Sequence, residues 1–377
     1  MKTKVLIIIS SLLGGGAEKV LTNILKNIDY DKFSITLLLI FNEGGLIKEL
    51  PKDVEILYLF KNQRNFFARL TSKFISAGSL YRKQKALNLL KGRNFDTIVS
   101  FLEGSVTLLH SQIMHLGRLN CSWVHCNFEQ FRWYDRVMSL DKERSIYQKM
   151  DRIAFVSQGT KQSFEKIIST DAYKTVIPNP VCVTSALSEQ PDTKRNDFFR
   201  IVSIGRFVPV KRFDRLLKTA SILKSRNLKF QIDILGTGFL EKSLKEMAAQ
   251  LNVDDVVNFL GFKQNPAPYI QNADVLCLTS DSEGFAMVVA EALLLGTPVV
   301  ATKVNGVTEM LSWGGGVMTE FSAESIADNL EKIIKDKDYL KDLKEGTKIA
   351  ARNLNLEHII KTIETFITPE APIRPEQ

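Results

Sequence analysis

The sequence predicts two α/β domains, each a parallel sheet wound on both faces by helices, and three observations predict them. Short β-rich apolar runs alternate with helical patterns. The alternation comes as two separate series, one in each half of the chain. Between the series lies VIPNPV, Val176–Val181, where two prolines flank an asparagine and form a stiff turn. At 377 residues the chain is long for one core and comfortable for two, on a prior of about 100–200 residues per domain.

The first series offers KVLIIIS, SITLLLI, VEILYLF, DTIVSFL, NCSWVHC and RIAFVS as strands, with helical patterns such as Lys19–Asn27 and Lys161–Ile168 between some of them. The second offers RIVSIG, FQIDILG, VVNFLG, ADVLCLTS and TPVVAT, separated by amphipathic stretches such as Phe213–Arg226 and Glu241–Leu251. Strands that stay apolar from end to end are buried on both faces, as in parallel sheets. Two such series make two doubly wound domains, 1–180 and 181–354, with the join continuing through the polar run Ser185–Asn196. A last helix over residues 355–367 is expected to pack back on the first domain, and TPEAPIRPEQ, 368–377, reads as a disordered tail. Ligands of open parallel sheets bind at the carboxyl ends of strands, so functional residues are expected there.

A composition of 45% hydrophobic and 24% charged residues is that of an ordinary globular protein. Cys121, Cys126, Cys182 and Cys277 form no C-x-x-C pair, and with only four histidines a reduced cytoplasmic compartment without structural zinc is expected. The start, MKTKVLIIISSLLGGGAEKV, imitates a signal peptide, but no A-x-A-like site follows and AEKVLTNILKNI continues as an amphipathic helix, so a buried first strand is the expectation. No apolar run reaches the roughly 18 residues of a membrane span. The net charge of +8 is uneven: residues 1–180 carry 26 Lys+Arg against 16 Asp+Glu, and residues 181–377 carry 24 against 26.

Chemistry concentrates in SEGFAMVVAEALLLGTPVVAT, Ser282–Thr302, where Glu283 and Glu291 stand eight residues apart in an apolar run. Glutamate is seldom buried without a partner. With ADVLCLTS as the strand, a helix from about Ala286 to Gly296 would start beside Glu283 and carry Glu291 more than a turn inside. The free N–H groups of Phe285 to Val288 would point from that helix mouth toward anions or polar oxygens. Two carboxylates plus amide donors suit a polyhydroxylated ligand.

This stretch resembles the Glu-x7-Glu signature of the retaining glycosyltransferases of family 4, which have the GT-B fold of two Rossmann-like domains facing across a cleft. GGAEKVL after the first strand, IGRF with Lys211 opening the second domain, and VIPNPV between domains agree in order, so the resemblance spans residues 4–350. It implies that Glu291 holds the ribose hydroxyls of a nucleotide-sugar and Glu283 contacts donor-sugar hydroxyls. The backbone of Gly284, Phe285, Ala286, Met287 and Val288 would help to place sugar and phosphate. Arg206 and Lys211 would neutralise charge that builds on the departing β-phosphate oxygen, where fixed cations are the usual device without a metal. Arg212 stands where many members have a small residue, and is read as solvated. Gly15 and Gly16 would line the donor site, with Gly14 serving either that site or a turn, and Glu18 reading as a first-turn helix residue. Loops around Gly236–Phe239 and Gly261–Gln264, with Gly236 and Phe262 as donor contacts, would read the base and sugar.

His125 ends the strand in CSWVHCNF. A lone histidine there is as readily a satisfied core residue, but the family places one near the donor sugar and the reaction centre. Glu103, in SFLEGS, also ends a strand; it would touch the acceptor, touch His125, or cap the next helix. The D-x-D spacings Asp29-Tyr30-Asp31 and Asp336-Lys337-Asp338 lie in polar stretches beside helix ends and read as solvated turns, so no metal site is expected.

The segment Lys61–Arg93 carries nine basic residues and no acidic one. On a helical wheel Phe66, Phe67, Leu70 and Phe74 fall within about 100°, with Arg69 and Lys73 beside that arc. Such a face suits an anionic membrane surface, at about 1 kcal/mol per basic residue near it, and equally a core-facing helix with a solvated back. No recognition motif accompanies the charge, which argues against nucleic acid.

The expectation is therefore a cytoplasmic, peripherally membrane-associated, retaining and metal-independent glycosyltransferase without a cofactor. It would move a sugar from a nucleotide donor, a UDP-sugar before a GDP-sugar, to a lipid-linked or saccharide acceptor in bacterial surface polysaccharide synthesis. A nucleotide-sugar 2-epimerase or a phosphorylase of the same architecture, and a non-catalytic nucleotide-sugar-binding partner, are the rivals.

Overall fold

The structure, a computed structural model, describes residues 1–62, 75–130, 137–183 and 198–370, excepting the side chains of 75–78. Phe66, Phe67, Leu70, Phe74, Arg69 and Lys73 of the expected membrane face lie outside these residues. The chain divides into two compact units, Met1–Pro180 with Leu356–Gln377, and Val181–Asn355.

The first unit holds a seven-stranded sheet in the spatial order β3 (Glu55–Phe60), β2 (Phe33–Phe41), β1 (Thr3–Ile9), β4 (Phe95–Ser100), β5 (Gly117–Val124), β6 (Arg152–Phe155) and β7 (Tyr173–Val176). Every neighbouring pair is parallel. Val5 to Ile9 are all buried, as a strand with helices on both faces requires. The helix Gly16–Asn27 follows β1 and returns Val20, Leu21, Ile24 and Leu25 to the core. The last helix, Leu356–Ile367, belongs to this unit, burying Ile359, Ile360, Ile363, Phe366 and Ile367. Phe366 meets Trp123 edge-on at 5.7 Å, and Thr97 Oγ1 donates to the Ile367 carbonyl at 2.7 Å. Buried Arg152 donates from Nη1 to the carbonyls of Thr365, Phe366 and Thr368, and from Nη2 to that of Pro369. A guanidinium thus satisfies the open carbonyl end of the helix.

The second unit holds a six-stranded parallel sheet in the order β10 (Val257–Gly261), β9 (Phe230–Leu235), β8 (Phe199–Ile204), β11 (Val275–Leu278), β12 (Val299–Thr302) and β13 (Gly316–Thr319). Its core packs Phe207, Leu216, Leu217, Leu223, Ile232 and Ile234 with the helix residues Ile326, Leu330 and Ile333.

In each sheet the third strand of the order, reached by a run that moves outward in one direction, sits beside a strand from which the run moves the other way. The strand order therefore reverses between β1 and β4 and between β8 and β11, and crevices at the carboxyl ends of these strands are where ligands bind. The edge strands β7 and β13, four residues each, are the two that the sequence reading leaves out. Of the expected tail, Thr368 and Pro369 are held by Arg152, and residues 371–377 lie outside the described residues.

Candidate active site

In the second unit the reversal of strand order brings together the loops after β8 and β11. The loop after β8 passes Gly205 and Arg206, makes a short 3-10 turn over Pro209–Lys211, and enters the helix Phe213–Ser225. The loop after β11 runs from Thr279 to Ala286 and enters the helix Met287–Leu294. Lys211 Nζ meets Glu283 Oε1 at 2.5 Å, and Ser280 Oγ donates to the same oxygen at 2.6 Å. Among the described residues no hydrogen bond reaches Oε2 of Glu283. One carboxylate oxygen is thus fixed by a cation and a hydroxyl, while the other is available to a ligand hydroxyl. Arg206 is exposed on the same loop as Lys211 and has no ion-pair partner among the described residues.

Ala286 caps the helix with φ 55 and ψ 74, a left-handed conformation uncommon for alanine and of a kind that clusters at functional sites. Val289 and Ala290 give the first bonds to its carbonyl, so the amides of Met287 and Val288 precede the intrahelical ladder. Phe285 and Ala286 are buried, and Met287, Val288 and Gly284 half-buried. A Cβ on Gly306 would fall 2.4 Å from the Gly284 carbonyl oxygen, so a helix glycine, unnoticed in the sequence, lets the next helix press this loop into place. Glu291 lies half-buried in the second turn of Met287–Leu294.

The loops after β9 and β10 close on the same strand ends. Gly236, at φ 146, would place a Cβ 1.9 Å from the Gly205 carbonyl oxygen, which only glycine avoids. Phe239 and Phe262 follow β9 and β10 with 74% and 67% of their surface exposed, large for phenylalanine. Arg212, expected to be solvated, is instead half-buried and paired with Asp214 at 3.0 Å and Asp281 at 2.9 Å.

In the first unit the corresponding loops carry Gly14–Glu18 after β1 and Glu103 after β4. Glu18 turns back on the glycines: its Oε2 accepts from the Gly14 and Gly15 amides at 2.5 and 2.6 Å, the side-chain half of a capping box. Gly14, at φ 110, takes the turn, and a Cβ on Gly16 would meet nothing. Glu103 Oε1 accepts from the backbone amides of His125 and, at 3.0 Å, Cys126. It therefore fixes the end of β5 through the backbone of His125 and not through its ring. Burial pushes the Glu103 carboxyl pKa up.

The His125 ring lies 4.8 Å from Phe101 and stacks near Trp123 at 6.4 Å. Burial lowers its pKa to about 3, so the imidazole is neutral. Its Nε2 is buried without a hydrogen-bond partner among the described residues. His110, by contrast, has both ring nitrogens engaged, with Ser100 Oγ at 3.1 Å and Asn120 Oδ1 at 3.0 Å. His110 is fully buried with its ring satisfied, whereas His125 is half-buried as a residue with only its ring nitrogen Nε2 shut away and unengaged.

The two D-x-D spacings serve local structure. Asp29 pairs with Lys32 at 2.8 Å and accepts from the Asp31 amide, and Asp336 caps the helix Lys337–Asn353 through the Tyr339 amide.

Residues 186–350 match the family described as glycosyl transferases group 1. The chain is 24% identical over 283 residues to an uncharacterized glycosyltransferase of Haemophilus influenzae, covering 74% of this chain and 78% of that one. It is 30% identical over 138 residues to the amylovoran biosynthesis glycosyltransferase AmsK of Erwinia amylovora, a match over 34% of each chain. Its fold is similar to that of Anabaena HepE, solved in complex with UDP and glucose, at a TM-score of 0.76 and 18% identity, covering 96% of this chain and 98% of that one. The family match thus covers residues 186–350, and the two doubly wound units have the GT-B fold.

Proposed function

We propose that this glycosyltransferase moves a sugar from a nucleotide-sugar, a UDP-sugar before a GDP-sugar, to a lipid-linked or saccharide acceptor, with retention and without a metal. The observation that carries the proposal is the Lys211–Glu283 pair at the reversal point of the second sheet, with Arg206 on the same loop exposed and, among the described residues, without an ion pair. A diphosphate needs fixed cations, and a sugar needs hydroxyl acceptors; both are present at one strand-end crevice. Glu291 would take the ribose hydroxyls, and the amides of Met287 and Val288 a phosphate oxygen. UDP bound to HepE supports the choice of base, and the name of AmsK supports a place in surface polysaccharide synthesis.

In the transfer, the bond from the anomeric carbon to the β-phosphate oxygen breaks as the acceptor oxygen bonds to the same face of that carbon. Arg206 and Lys211 meet the charge on the leaving diphosphate, whose oxygen takes the acceptor proton. His125, neutral and with Nε2 unengaged, would hydrogen-bond the donor sugar, and Glu103 would hold the strand end that presents it.

Among the described residues no helix is long and apolar enough to cross a membrane. The basic run Lys61–Arg93 supports docking on an anionic membrane face. Replacing Arg69 and Lys73 by glutamate is expected to release the protein from phosphatidylserine vesicles, and unchanged co-sedimentation would remove that role.

A panel of UDP-, GDP- and ADP-sugars assayed for slow donor hydrolysis tests the whole reading. Release of UDP from at least one UDP-sugar is expected. Tight nucleotide binding with no turnover on any donor would favour a binding partner, and an epimerised sugar would favour the 2-epimerase.

A further inference from the structure

A second set of charges ties together the same two loops that the Lys211–Glu283 pair joins. Asp281 Oδ2 accepts from Arg212 Nη1 at 2.9 Å, and its Oδ1 accepts from Arg215 Nη2 at 2.7 Å. Arg215 is 4% exposed, lies over the Phe321 ring, and donates from Nη1 to the Thr279 carbonyl at 2.6 Å. The backbone is stitched in parallel: Asp281 N donates to the Val210 carbonyl at 2.8 Å, and Thr279 Oγ1 donates to the carbonyls of Lys211 and Arg212 at 3.0 and 3.1 Å. Arg212 itself has φ 50 and ψ 44, a left-handed conformation that favours glycine or asparagine. Strain of this kind persists only where the surroundings over-determine it. Here the surroundings are Asp281 on one side and, on the other, Asp214, which takes Arg212 Nε and Nη2 at 3.0 and 3.1 Å.

We propose that Asp281 is a positioning residue: gripped by Arg212 and Arg215, it locks the turn carrying Lys211 against the turn carrying Glu283, and so sets the cation that meets the diphosphate. The inference rests on the diphosphate reading of this site, and deepens it by naming what holds Lys211 in place. Asp281 acts through Lys211, which separates it from a residue that merely stabilises the unit.

The test is a double-mutant cycle read by calorimetric titration with UDP. Asp281→Asn is expected to weaken UDP binding about tenfold when Lys211 is present, and less than twofold in a Lys211→Ala background, the coupling expected of residues in one network. Equal weakening in both backgrounds would overturn the proposal. Hydrogen exchange at the Lys211 and Arg212 amides, which donate to the Val208 and Pro209 carbonyls, reads the brace without any ligand. Asp281→Asn is expected to speed it about tenfold, and unchanged exchange would overturn the brace even if the unaltered protein bound no UDP, a result that by itself would instead count against the diphosphate reading. Should Asp281→Asn not fold, Arg212→Gly removes one arm while suiting the left-handed backbone, and the same two readouts apply.

Discussion

The two sheets reverse their strand order in the same way, yet the strand ends at the two reversal points are furnished oppositely. In the second unit they carry charge that is partnered across loops and partly open to solvent: Lys211 with Glu283, Arg212 and Arg215 with Asp281, and Arg206 without an ion pair among the described residues. In the first unit the glycine-turn amides are closed by Glu18, the His125 ring is neutral, and burial raises the carboxyl pKa of Glu103. A diphosphate is stabilised by fixed charges that cost little reorganisation, and the second unit has them. In the proposed transfer the first unit would instead offer a sugar the neutral ring of His125, set against Phe101 and Trp123. The difference teaches that one architecture, used twice, can carry different groups at equivalent strand ends, and on the proposed function it would divide the labour between charge stabilisation and neutral placement.

The sharpest way to break this division is to remove charge from the second unit. Arg206→Ala with Lys211→Ala is expected to lower kcat by about a thousandfold or more, the scale of losing a preorganised electrostatic device. EDTA is expected to leave the rate of the unaltered enzyme unchanged. UDP release from the preferred donor measures both, and strong inhibition by EDTA would transfer the work from the two cations to a metal.

Glu291→Ala comes next. Loss of a hydrogen bond to a charged group is expected to weaken UDP binding about 10- to 100-fold. Calorimetry on the free protein reads this directly. An unchanged affinity would take the ribose away from Glu291 and leave the second unit with a diphosphate site alone.

What the sequence let one see follows from which signals are local. Glu283 and Glu291 stood out because a carboxylate in an apolar run breaks an expected pattern, and both lie at the strand end and helix that the pattern implied. Gly236 was visible as a glycine after a strand, though its reason, the Gly205 carbonyl, lies 31 residues away. The Asp281 brace was hidden, because Arg212 and Arg215 sit on a helix start whose charges read as a solvated face while their partner is 66 to 69 residues distant. Arg152 was hidden likewise, since its partners are carbonyls more than 200 residues along the chain. The strands β7 and β13 escaped because four residues on a sheet edge carry too little periodicity to register.

The mildest test sharpens the neutral side of the comparison through pH. Burial depresses the His110 pKa to about 4 and the His125 pKa to about 3, below the ordinary value of 6.5. The unfolded chain therefore binds protons on these rings that the folded chain refuses, so stability falls as pH drops below about 6.5. Each ring is expected to remove about 2 kcal/mol between pH 7 and pH 5. Urea unfolding followed by circular dichroism at the two pH values measures the fall. His110→Asn is expected to lower stability at pH 7 by breaking the Ser100 and Asn120 bonds, and to flatten the pH dependence by its share. His125→Ala is expected to flatten it comparably but to impair transfer, because its Nε2 holds no internal bond to lose. If the two substitutions damaged activity alike, the unpartnered nitrogen would have no special task and the neutral placement assigned to the first unit would fail.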